Sequence, residues 1–189
     1  MSQMLAVTIA RESRIYTPSS PDSVRVTPVA SRVVPGLEYY WGTYRPPRMV
    51  DAFIYAVVAG RGGALRPVRT PDEWMEAAGW FQPVTGENAV AACGEIVAVT
   101  SRHRSPYESA VVYHSPATLD SLPTMVPNPA RLRSVLGPPS IERLTDGGWQ
   151  VDLWAIEVRD VTKYRCRITP QSAALTVSES LEMSGFSPG

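Results

Sequence analysis

The residues best equipped for chemistry are Cys93, His103, His114 and Cys166, which are all the cysteines and histidines in the chain. A Cys2His2 zinc site needs four convergent ligands, usually supplied in close pairs. The successive separations here are 10, 11 and 52 residues, with no C-x-x-C or H-x-x-x-H pair. No metal or cofactor is therefore expected. Nucleophilic catalysis by Cys93 would need a base such as His103 or His114 beside it. Cys93 instead falls mid-helix on an apolar stripe, away from a helix start that would lower its pKa. Two buried free thiols are the expected state, as is common for intracellular cysteine. A Cys93–Cys166 disulfide is the alternative, because both positions face a core. No G-x-S-x-G elbow is present. Gly60, Gly62 and Gly63 match neither the dinucleotide nor the phosphate-loop pattern, and a hairpin turn explains them better.

Three other constellations stand out. The first is aromatic and basic: Tyr39, Tyr40, Trp41 and Tyr44, followed by Arg45 and Arg48. Protein interfaces are enriched in these residue types. In a strand, Tyr39 and Trp41 point one way and Tyr40 the other. One side belongs in a core, and an exposed second side would call for a partner or ligand. The competing reading is core packing alone. The second is Arg102-His103-Arg104, a candidate anion contact. Its position just after a helix equally suits a C-terminal dipole. The third is a candidate pocket of Asp152, Trp154, Tyr164 and His114, which rests on strand parity placing Asp152 and Trp154 on one side.

The elements that would position these residues are short. Eighteen prolines, about twice ordinary usage, punctuate the chain at segment edges and exclude long helices. Residues 1–36 read as a Pro/Ser-rich arm, in which 23–27 alternates enough to add an edge strand. Residues 37–189 read as one α+β domain. Leu37 to Tyr44 is strand-like, and Val50 to Ala59 is apolar on both faces, as a covered central strand is. The glycines after it favour a hairpin into 64–69. Thr70-Pro71-Asp72-Glu73 carries an N-cap, a first-turn proline and a capping-box glutamate, and Gly79 closes that helix. A second helix spans about 86–100, with Ala89, Val90, Cys93, Ile96, Val97 and Thr100 on one face. A short strand at 110–113 and two short helices, opened by Ser115-Pro116 and Asn128-Pro129, follow.

The C-terminal fifty residues read as an antiparallel meander of strands 149–158, 162–169 and 173–183, with an Asp146-Gly147-Gly148 turn before the first. Thr162, Tyr164, Cys166 and Ile168 alternate with Lys163, Arg165 and Arg167, so one face is buried and one solvated. The same alternation places Leu175, Val177, Leu181 and Met183 together. Strands, helices, a strand, short helices and a meander together give an α+β fold. Its antiparallel sheet, a C-terminal meander plus an N-terminal hairpin, packs on two to four short helices, and a curved roll is one form it can take.

Composition bounds function more than it identifies it. Eighteen acidic and eighteen basic residues cancel, which argues against a general nucleic-acid-binding surface. Seventeen of the bases are Arg and one is Lys163. A GC-rich, bacterial-type composition accounts for that bias more simply than selection for bidentate contacts. The longest apolar run, Ala52 to Ala59, falls far short of the ~20 residues a membrane helix needs. Residues 1–10 lack a secretory pattern, so a soluble cytoplasmic protein is expected. No catalytic signature emerges. The sequence favours a non-catalytic interaction or assembly module with a protein partner or a second copy. The alternative is a small-molecule-binding or enzymatic roll with a pocket between meander and helices.

Overall fold

The computed structural model describes residues 24–44, 53–59, 65–79, 84–101, 110–122, 129–157 and 160–182. The fold is α+β: antiparallel sheets with four helices among the described residues, and no closed barrel. The chain divides into two compact units, 1–83 with 99–108, and 84–98 with 109–189.

The first unit holds a four-stranded antiparallel meander: β1 (Val24–Ala30), β2 (Glu38–Tyr44), β3 (Phe53–Ala59) and β4 (Leu65–Pro67). The alternating residues at 23–27 thus mark a real edge strand, and 24–30 of the segment read as an arm belongs to this sheet. Pro28 and Pro67 lie on its two edge strands, where a missing donor costs no central ladder bond. Val34-Pro35-Gly36-Leu37 turns β1 into β2. The Leu37 amide donates to the Val34 carbonyl at 3.1 Å, and Gly36 takes φ +79°, the conformation that a type II turn asks of glycine. Ser31 Oγ accepts from the amides of Val33 and Val34, so the turn satisfies its own donors while Val33, Val34 and Leu37 are buried.

Helix α1 (Pro71–Gly79) begins where the capping signal places it. The Glu73 amide donates to Thr70 Oγ1 at 3.2 Å. In return Glu73 Oε2 accepts from the amides of Thr70 and Arg69 at 3.0 and 2.6 Å. Three backbone donors at the helix start are thereby satisfied, and Trp74, Ala77 and Ala78 are buried.

The second unit is built on a five-stranded sheet. Helix α2 (Ala89–Ser101) contributes to it up to residue 98. The strands are β5 (Val111–Tyr113), β6 (Ser140–Arg143), β7 (Trp149–Ile156), β8 (Asp160–Ile168) and β9 (Ala173–Glu182). β7, β8 and β9 form the expected meander. β5 and β6 share the other edge of β7 end to end: β6 pairs with its first half and β5 with its second. Short helices α3 (Pro116–Asp120) and α4 (Pro129–Val135) lie between β5 and β6 in the chain.

This sheet buries most of one face and part of the other, where a buried apolar cluster adjoins the charged Asp152, Arg165 and Arg167. On one face Val151, Leu153, Ala155, Tyr164, Cys166, Ile168 and Ala173 are buried, and a Cys93–Cys166 disulfide with a Cα separation of 5.9 Å ties α2 to β8. This corrects the expectation of two free thiols: core-facing positions on α2 and β8 face each other and are joined. On the opposite face Tyr113, Trp154, Ile156 and Val161 cluster with Leu119, Leu132 and Leu136 from the short helices and the segment after them.

The end of β9 also departs from simple alternation. A bulge opposite Lys163 and Tyr164 inserts Ser178, so that Glu179 pairs with Lys163 and Val177 with Tyr164. An extra residue flips the parity of everything beyond it. Leu181 therefore packs against the Trp154 cluster. Val177, expected on the same buried face as Leu181, is 48% exposed on the other.

Candidate functional site

The aromatic–Arg segment lies on β2, which is internal to its sheet, with β1 on one side and β3 on the other. An internal strand has no free backbone edge to offer, so recognition through it must use side chains. Strand parity divides the two described tyrosines. Tyr39 is buried at 2% exposure. Tyr40, half-buried, lies at the opposite parity, and its hydroxyl donates to Glu38 Oε2 at 2.7 Å. That hydrogen bond, with smaller help from burial, holds the Tyr40 phenol above its ordinary pKa. The ring thus stays neutral, with its hydroxyl fixed toward an exposed carboxylate. Register places Tyr40 opposite Pro28 and Val57, and Val57 opposite Pro67, in one row across all four strands. Pro28 is exposed. The side chains of Trp41 and Tyr44, and all of Arg45 and Arg48, lie outside the described residues. So does the candidate anion contact, Arg102, His103 and Arg104.

The four pocket residues are not brought together. Asp152 and Trp154 do share a face of β7, as parity requires. Tyr164, paired with Leu153, lies on the other face and is buried, its hydroxyl donating to Glu157 Oε1 at 2.6 Å. His114 is exposed at the end of β5. Trp154 is buried beneath the short helices, and the Lys163 ammonium stands 5.6 Å from its ring centroid.

Asp152 faces Arg165 directly across the β7–β8 ladder. The guanidinium donates through Nε and Nη2 at 2.8 and 2.9 Å, a bidentate pair. The Arg165 hydrogen bond, opposed by partial burial, holds the Asp152 carboxyl below the usual range. Arg167 likewise pairs with Asp146, whose carboxyl is lowered first by that bond and then by the Gly148 amide. Both carboxylates are therefore fixed negative charges at neutral pH, not proton carriers. The basic residues of β8 form a neutralised ladder. The hairpin register alone reveals the Asp152–Arg165 pairing, because a directly cross-strand acid and base attract.

On the α2-covered face of the sheet, the surroundings of Trp149 are not legible in the sequence. Arg143 stacks over Trp149 with its guanidinium carbon 4.4 Å from the ring centroid. The same ring lies so close to Gly86 that a Cβ there would be 2.2 Å from it. Only the glycine admits the tryptophan, and neither residue type announces that in one dimension. Among the described residues, no three of His, Cys, Asp and Glu converge as metal ligands would. Nor is any helix among them long and apolar enough to cross a membrane. No family model, curated protein or solved structure matches the chain.

Proposed function

We propose that this protein is a non-catalytic interaction or assembly module whose contact surface centres on β2 and the Arg45–Arg48 segment after it. The observation that carries this reading is the division of Tyr39 and Tyr40. One aromatic face of an internal strand is used in the core. The other presents a half-exposed tyrosine in register with exposed Pro28. Tyrosine, tryptophan and arginine are the residues that anchor protein interfaces. A protein partner or a second copy of the chain is the ligand this surface suits.

The alternative, a small-molecule-binding or enzymatic roll, would draw on Asp152, Trp154, Tyr164 and His114. Their separation across two faces of one sheet weighs toward the first reading. Native mass spectrometry of untagged protein from its own host tests the choice. A complex with itself or a second chain is expected. A bare monomer carrying the extra mass of a small molecule would favour the roll instead.

A further inference from the structure

Cys93 and Cys166 are both fully buried. Cys93 sits on α2 among Ala89, Ala92, Ile96 and Val97, all buried, and Cys166 pairs across the sheet with buried Val151. Thiol–disulfide exchange needs a thiolate, and a second disulfide or thiol that can reach the sulfur in line. Regulatory cysteines are accordingly exposed and electropositive in setting, whereas cysteines buried among apolar groups are inert. This pair has the second environment.

We infer that Cys93–Cys166 is a permanent staple, closed as the second unit folds and then sealed from thiols, and not a reversible switch. Its formation consumes one disulfide of an oxidant, which can be a small-molecule or protein disulfide. One cysteine thiolate attacks an oxidant sulfur, breaking its S–S bond and releasing a thiolate. The second cysteine thiolate then attacks the mixed disulfide, forms Cys93–Cys166 and releases the other thiolate. The two cysteine protons end on the two oxidant thiols. Because neither sulfur is reachable in the folded unit, both steps precede full closure of the core. The protein therefore matures where disulfide oxidants outcompete thiol reductants, such as an extracytoplasmic space. This sets the staple against the cytoplasmic setting expected from sequence alone.

The test is intact mass after acid quenching of host cells and maleimide labelling in denaturant. No adduct without prior reduction, and two adducts after it, is the expected result. Two adducts without reduction would overturn the inference. In the native protein, dithiothreitol should expose the thiols at least about a thousandfold more slowly than in denaturant. That follows if reduction waits on opening of the unit at ordinary domain stability. Comparable rates in the two states would make the pair an accessible switch and equally overturn it.

Discussion

β2 and β8 are both internal strands with a buried face, yet their other faces differ in kind. On β8 the outward positions are Lys163, Arg165 and Arg167, and each base has a counterpart. Asp152 grips Arg165, Asp146 holds Arg167, and Lys163 lies beside Trp154 and opposite Glu179 in the ladder. Thr176 and Ser178 donate to the carbonyls of Arg165 and Lys163, so hydroxyls occupy the ladder too. Such a face is finished toward water. On β2 the corresponding position is Tyr40, half-buried, with a proline on the neighbouring strand and its hydroxyl donating to Glu38. The difference teaches where to look for function: a surface with its charges already matched invites nothing, while a half-exposed tyrosine beside an exposed proline does.

If the second unit is structural in this sense, damage there should cost stability. The largest effect is expected from the staple. Its cysteines are 73 residues apart, and chain entropy alone assigns a loop of that size about 4 kcal/mol. A Cys93→Ala/Cys166→Ala double variant should show that order of loss in denaturant unfolding. An unchanged midpoint would mean that the bond contributes nothing. Gly86→Leu comes next. A side chain there collides with the Trp149 ring, and overpacking of this kind costs about 1–3 kcal/mol. Gly94 is the control. A Cβ there meets Val112 at an ordinary 3.5 Å. Gly94→Ala should therefore stabilise α2 by about 0.5–1 kcal/mol through helix propensity.

The smallest effect is expected at the surface ion pair. The folded Asp152 carboxyl is lowered by Arg165. Its contribution is therefore complete above the ordinary carboxylate pKa and is lost as pH falls through the lowered folded value. Half of the Arg165 side chain is exposed, so solvent and salt screen the pair. Asp152→Asn should flatten the acid limb of the stability–pH curve slightly, and high salt should remove the difference. A large loss at neutral pH would show that the ladder carries more than a solvated surface.

The sequence exposed those parts of this fold that one strand or one helix turn encodes by itself. The β7–β9 meander, the Thr70–Glu73 capping box and the alternation of Tyr164, Cys166 and Ile168 with Lys163, Arg165 and Arg167 are local patterns. Each appears within a residue or two of its expected position. What depends on two distant segments meeting was not legible. Leu119 and Leu132 give α3 and α4 one fully apolar anchor each, too few to predict that they cover Trp154 and Ile156. Ser178 carries no mark of the bulge that sends Leu181 to the opposite face from Val177. The Cys93–Cys166 bond needed the docking of α2 on β8 to be known. Of the candidate surface, strand parity gave the separation of Tyr39 from Tyr40. Which of the two would be buried depended on what covered the sheet.

The most direct test compares association by native mass spectrometry in the wild-type chain, Tyr40→Ala and Arg165→Ala, with circular dichroism to confirm folding. The account predicts a complex in the wild type that persists in Arg165→Ala and is lost in folded Tyr40→Ala. A complex that survives Tyr40→Ala, or one that depends on Arg165, would contradict it.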